Sequence, residues 1–150
     1  MTLEVKSFAD CTTQDLFDFY HLRASVFVVE QNCAYLDVDH KDLEALHILL
    51  REGDKLCAYC RLLPPGLAYA ETAIGRVVVD AGERGKGYAK TLMLATIQEA
   101  FVRYGPIPIV ISAQQYLEKF YADLHFVTEG APYLEDNIPH VKMRLRRSEA

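Results

Sequence analysis

An apolar run, Val77-Val78-Val79, leads into Asp80-Ala81-Gly82-Glu83-Arg84-Gly85-Lys86-Gly87-Tyr88-Ala89-Lys90, a glycine-rich basic stretch that opens a helix. The first backbone N–H groups of a helix have no intrahelical partner, and the helix dipole favours an anion beside them. Gly85 and Gly87 carry no Cβ, so a phosphate can approach the backbone closely, and Arg84, Lys86 and Lys90 add positive charge. These residues predict a diphosphate site. Gly82 and Gly87 have the spacing of a Walker loop, but Tyr88 stands where that loop needs lysine. The dinucleotide pattern fails as well, because Gly85-x-Gly87 is followed by Lys90 at its third small position. The arrangement that remains is Arg84-x-x-Gly87-x-Ala89.

The surrounding elements must place that loop. Leu3 to Phe8 alternates and predicts a strand, and Thr12-Thr13-Gln14-Asp15 then supplies a hydroxyl cap and a first-turn acid. An amphipathic helix is expected from there to about Val28, and the acidic stretch 32–41 is expected to be a loop. Two strands, Leu46 to Arg51 and Lys55 to Leu63, flank the turn signal Gly53-Asp54, and Pro64-Pro65-Gly66 ends the second. Thr72 to Val79 predicts a fourth strand. The helix after the basic loop runs to Tyr104 and carries Ala89, Leu92, Met93, Thr96, Ile97, Ala100 and Phe101 on one stripe; Gly105-Pro106 stops it. A fifth strand at Ile107 to Ala113, a helix at Gln115 to Leu124 and short strands at Phe126 to Thr128 and Pro139 to Leu145 complete the chain. The hairpin-rich middle implies antiparallel pairing, and the strand-helix-strand unit from Thr72 to Ala113 implies a parallel crossover, so the expected class is α+β with a mixed sheet.

Length and charge narrow the function. The 150 residues fit one domain, 1–150, and 51% hydrophobic with 25% charged residues excludes a disordered chain. With 16 Lys plus Arg against 21 Asp plus Glu, the net charge of −5 argues against nucleic-acid or anionic-membrane partners. No uncharged stretch is long enough to span a bilayer, and the start has no basic region followed by an apolar run, so a cytoplasmic location is expected. Cys11, Cys33, Cys57 and Cys60 are then expected to be reduced. Cys57 and Cys60 have half the spacing of a zinc site, but no matching Cys or His pair exists, and they read as strand residues; no metal is expected.

The loop Arg84-x-x-Gly87-x-Ala89 resembles the pyrophosphate loop of the GNAT superfamily of acyl-CoA-dependent N-acyltransferases. Further segments resemble its ElaA-like branch: 26–31 (Val-Phe-Val-Val-Glu-Gln), 61–66 (Arg-Leu-Leu-Pro-Pro-Gly), Ile74-Gly75-Arg76-Val77, Ser112-Ala113-Gln114, Phe120-Tyr121 and 133–140 (Tyr-Leu-Glu-Asp-Asn-Ile-Pro-His). The resemblance implies a mostly antiparallel sheet splayed between strands four and five, with flanking helices and acetyl-CoA wedged in the opening. It also implies that the backbone of Val77, Val78 and Val79 pairs with the pantetheine amides and that residues 84–90 (Arg84, Gly85, Lys86, Gly87, Tyr88, Ala89, Lys90) hold the pyrophosphate. Ser112, Ala113 and Gln114 would line the other wall.

The implied reaction is acetyl transfer to a primary amine, of a small molecule or a protein, by direct attack. Tyr121 occupies the family's general-acid position and would also line the cofactor cleft, although it shares an apolar helix stripe with Leu117, Phe120 and Leu124. His47 and His140 titrate near neutrality and are the candidate bases, each with a structural alternative. Glu71 and Arg76 are candidate substrate-binding residues, and Arg76 alternatively pairs with an acid. Glu135, Asp136 and the acids of 37–42 read either as attraction for a cationic amine or as solvated surface. His125-Phe126 departs from the Gly-Phe frequent in the family, at a helix end where glycine permits a left-handed residue. Two rival functions share the fold: an acyl-CoA-binding module without turnover, and an acyl-homoserine-lactone synthase. The apolar hairpin from Leu46 to Leu63 is a candidate homodimer interface.

Overall fold

In a computed structural model, which describes residues 1–147, seven strands form one sheet in the order β1-β2-β3-β4-β5-β7-β6. They are β1 (Thr2–Ser7), β2 (Leu46–Glu52), β3 (Lys55–Leu63), β4 (Thr72–Val79), β5 (Ile109–Gln114), β6 (Val127–Glu135) and β7 (Ile138–Leu145). Every neighbouring pair is antiparallel except β4 and β5, which are parallel and joined by the crossover helix α2 (Tyr88–Tyr104).

Alternation along the strands divides the core. Ile48, Leu50, Ala58, Cys60 and Leu62 turn toward α2, whose Leu92, Met93, Ile97 and Phe101 form the expected buried stripe. Leu49, Tyr59 and Val78 turn the other way, against Phe19 and Leu22 of α1 (Thr13–Arg23) and Val26 beyond it. Thr12 and Asp15 form a reciprocal capping box at the start of α1.

Four expectations are corrected. The first helix does not stay α-helical to Val28; from Ala24 to Glu30 it is a π-helix, a rare wider turn that is frequent at functional sites. The segment after β5 is a 3₁₀ turn and a short helix α3 (Glu118–Ala122), and β6 extends to Glu135 as an exposed edge strand with little alternation to reveal it. The hairpin from Leu46 to Leu63 is not a free surface. Its strands lie inside the sheet, and its residues from His47 to Leu50 and from Leu56 to Leu63 are buried, so they are not available to a second subunit.

The acidic loop is not a solvated surface either. Wholly buried Arg23 sets Nε 2.8 Å from Asp37 Oδ2 and Nη1 2.8 Å from Asp42 Oδ1, and its Nη2 donates to the Asp37 carbonyl at 2.8 Å. Arg61 Nη1 donates to Asp39 Oδ1 at 2.6 Å and to Asp42 Oδ1 at 2.9 Å. Burial would raise the Asp42 carboxyl, but hydrogen bonds from both guanidinium groups outweigh it and hold the group below its ordinary range. The loop is thereby locked onto β3, and its acids are spent internally.

Candidate active site

The site begins where β4 and β5 part. They pair only at Thr72 with Ile109 and Ala73 with Val110, and beyond this point their facing backbone edges open into a cleft of about 450 Å³. A β-bulge helps to open it. Between the pairs Tyr59–Val78 and Arg61–Gly75, β4 uses one residue more than β3, and Arg76 takes a left-handed φ of 52° there. Such a conformation is costly for a side-chain-bearing residue. Arg76 is held in it by ion pairing: Nε lies 2.8 Å from Asp37 Oδ1, off the axis of a hydrogen bond, and Nη2 donates to the Asp37 carbonyl at 3.0 Å. The expected substrate-binding residue does line the cleft, but its charge is committed to the acidic loop.

Val77, Val78 and Val79 form one wall as expected, and Ser112, Ala113 and Gln114 form the other. At one end lies the basic loop. Gly85 and Gly87 have φ of 79° and 80°, and Gly87 caps α2 with no side chain covering the free N–H groups. A Cβ placed at either glycine would meet nothing within 4 Å, so the room that the sequence predicts for an anion is present. Arg84 and Ala89 line the cleft itself, while Gly85, Lys86, Gly87 and Lys90 of the same segment are exposed and Lys86 Nζ is 2.7 Å from Glu83 Oε2. Tyr88 departs from the expectation: its ring packs on the core and its hydroxyl donates to Glu52 at 3.3 Å, so only its backbone faces an anion site.

Residues without an assigned role in the sequence also build this end. The Arg84 guanidinium donates to both carboxylate oxygens of Glu30, at 2.8 and 2.9 Å, and Gln31 and Gln114 exchange amide hydrogen bonds of 3.1 and 3.3 Å. The end of the π-helix thus touches both the basic loop and β5. Their sequence signal was the segment 26–31, which resembles the ElaA-like branch and ends an apolar run with the polar pair Glu30-Gln31.

Tyr121 combines both readings of its spacing. Its ring is 5% exposed and belongs to the core against Phe120 and Phe126, yet it lines the cleft. Burial pushes its phenol well up, which keeps the proton on oxygen. His140 lines the same cleft beside Gln114, its register partner on β5, with Nδ1 2.6 Å from the Ile138 carbonyl and Nε2 3.5 Å from Glu135 Oε2.

Two candidates are withdrawn. His47 is wholly buried against Phe19, with Nε2 2.9 Å from the Asp42 carbonyl and Nδ1 2.7 Å from the Tyr59 hydroxyl. A carbonyl only accepts, so Nε2 donates and Nδ1 accepts from Tyr59. Burial lowers the affinity of this ring for a second proton, and neither nitrogen is free to act as a base. Glu71 precedes the paired, closed end of β4 and is 2.6 Å from Arg144 Nη1, outside the cleft lining. Among the described residues no cluster of His, Cys, Asp and Glu is arranged to hold a metal, and no helix is long and apolar enough to cross a membrane.

A sheet that opens between its parallel strands, with a bare helix start facing the gap, is the fold of acyl-CoA N-acyltransferases. Residues 11–147 match the family model described as an acetyltransferase (GNAT) domain. UPF0039 protein C11D3.02c of Schizosaccharomyces pombe is 43% identical over 142 residues, covering 93% of each chain. The crystal structure of an acyl-CoA N-acyltransferase from Pseudomonas aeruginosa superposes with a TM-score of 0.90 at 38% identity, over 96% of this chain and 99% of that one. That of Escherichia coli ElaA gives 0.89 at 33% identity, over 95% and 97%. The chain therefore belongs to the GNAT acetyltransferase family, in its ElaA-like branch.

Proposed function

We propose that this protein transfers an acetyl group from acetyl-CoA to a primary amine by direct attack, without an acyl-enzyme. The observation that carries the reading is the single continuous cleft with a bare, glycine-flanked helix start at one end and the Tyr121 ring in its wall. Acetyl-CoA would supply the acetyl group as a thioester. The unpaired edge of β4 at Val77 to Val79 suits the amides of the pantetheine arm as a further strand would, and needs no polar side chain. The N–H groups opening α2, with Arg84, Lys86 and Lys90, suit the diphosphate. Binding there requires Arg84 to share or release Glu30; both side chains of that pair are nearly half exposed, so the cost is small.

Tyr121, protonated by virtue of its burial, would give its proton to the departing thiolate. Of the two histidines, His140 is the one placed to take a proton from the amine. The acceptor would enter beside Tyr35, Glu135 and His140, which line the cleft.

The test is to mix the protein with acetyl-CoA and a panel of small amines and lysine peptides and to follow free thiol. Amine-dependent thiol release is expected, reduced about 100-fold in kcat by Tyr121→Phe. Unchanged release in that variant removes Tyr121 as the acid. Tight CoA binding without release for any amine favours a binding module, and release that requires S-adenosylmethionine favours a synthase.

A further inference from the structure

We propose that Glu135 is the positioning residue of the base: its carboxylate, anchored by Ser112 and Tyr133, stands beside His140 so that Nε2 can receive the proton of the incoming ammonium. The inference rests on the acetyl-transfer reading and adds to it the assembly that makes the amine nucleophilic.

The positions of the protons follow from what each atom can do. The Ile138 carbonyl only accepts, so in the neutral ring the hydrogen of His140 sits on Nδ1 and the lone pair on Nε2. Nε2 is 3.5 Å from Glu135 Oε2, too long for a hydrogen bond and short enough to become one when a proton arrives. On its other oxygen, Glu135 accepts from Ser112 Oγ at 3.2 Å. Ser112 has one proton and gives it to that carboxylate, so its bond to the Tyr133 hydroxyl is one that Tyr133 donates. A chain from Tyr133 through Ser112 to Glu135 thus orients the carboxylate toward the imidazole, and the Tyr133 ring stacks on His140 at 6.3 Å between centroids.

The fold supplies these groups from three strands. Gln114 and Tyr133 are the register partners of His140, so the ring stands on the polar face of β5, β7 and β6 while its neighbour Val141 is buried. Charge points the same way. Asp37 is paired with Arg23 and Arg76, Glu30 with Arg84, and Glu71 and Glu129 with Arg144. Among the described residues Glu135 has no Lys or Arg partner. Its charge is left for whatever enters the cleft and for the imidazolium, which in a side chain 8% exposed needs a counter-charge.

The step balances. One N–H bond of the acceptor ammonium breaks, its proton passes to Nε2, and the electron pair stays on nitrogen for attack. The imidazolium proton then leaves to water past Glu135, whose side chain is 48% exposed.

The experiment compares wild type, Glu135→Gln, His140→Gln and the double variant at saturating acetyl-CoA, with the best amine of the panel. Glu135→Gln is expected to lower kcat about 10-fold or more and to leave the KM for the amine within about twofold. In the His140→Gln background the same change should cost nothing further, because Glu135 acts through His140. A raised KM with unchanged kcat overturns the proposal in favour of a simple cation anchor, and so does a fully additive loss in the double variant. No turnover by the wild type refutes acetyl transfer itself, whereas wild-type turnover that Glu135→Gln leaves intact refutes only this role. Independently of activity, ¹⁵N spectra of the neutral imidazole should show His140 protonated on Nδ1; protonation on Nε2 overturns the geometry.

Discussion

Arg23 illustrates how far a single side chain reaches in this molecule. It is wholly buried, with Asp37 and Asp42 as its counter-charges, and through Asp37 it fixes the partner of Arg76 at the strained bulge that opens the cleft. Truncating one member of a buried ion network leaves the others unpaired in a medium that solvates them poorly. Arg23→Ala is therefore expected to lower unfolding free energy by about 3–5 kcal/mol in urea titrations. A second network makes stability depend on acid. Burial would raise Asp15, but hydrogen bonds from Lys6, the Thr12 N–H and Arg51 outweigh it and hold the carboxyl at about 2. A depressed carboxyl stabilises the fold above its unfolded value, near 4, and loses that contribution as pH falls toward 2. Thermal unfolding should show wild type losing about 2 kcal/mol more than Asp15→Asn over that interval. At this scale the sequence was ambiguous by nature. His47 and His140 are the same residue type on strands of similar pattern, and only tertiary neighbours make one a buried structural ring and the other a cleft residue. The acids of 37–42 looked solvated because their arginine partners lie 14 to 39 residues away.

Among the elements, those defined by local chemistry were legible: the capping box of α1, the bounds of β3 and β4, the two-residue Gly53-Asp54 turn and the buried stripe of α2. The helix end at His125, which the sequence left open by placing histidine where glycine is frequent, is left-handed. His125 has φ of 76°, with its N–H donating to Ala122 and that of Phe126 to Tyr121, a paired cap that glycine fits better. His125→Gly should stabilise the protein by up to about 1 kcal/mol, read as a higher Tm, with kcat unchanged. The π-helix and the Arg76 bulge were not legible, since the residue types there do not signal the backbone geometry and the ion pair that holds Arg76 comes from 39 residues away. The start of α2 carries the sharpest element-level expectation. Gly87→Ala meets no steric obstacle, so its effect comes through the 80° φ and the aim of the N–H groups. Losing one charge-assisted hydrogen bond, about 1.5–3 kcal/mol, should raise the Kd for CoA roughly tenfold or more in calorimetry.

Over the whole molecule, opposite charges come from different elements around one cleft. A chain with net charge −5 places Arg84, Lys86 and Lys90 on the loop and first turn that open α2, and has Glu135 and Asp136 of the β6–β7 hairpin in the cleft lining. The basic loop singled out in the sequence lies at the start of α2. The suggestion that the acids of 37–42 attract a cationic acceptor fails, because Arg23, Arg61 and Arg76 neutralise them; among the described residues, the lining acids without a Lys or Arg partner are Glu135 and Asp136 of the β6–β7 hairpin. This polarity suits a cleft that takes an anionic thioester donor from one side and a cationic amine from the other. The most direct measurement is an NMR time course with acetyl-CoA carrying ¹³C at the thioester carbonyl, in the presence of the amine panel. The expected result is protein-dependent conversion of the thioester resonance into an amide resonance, attached to an acceptor nitrogen. A thioester signal that persists at the rate of the protein-free control, or passes only to free acetate, would contradict the account.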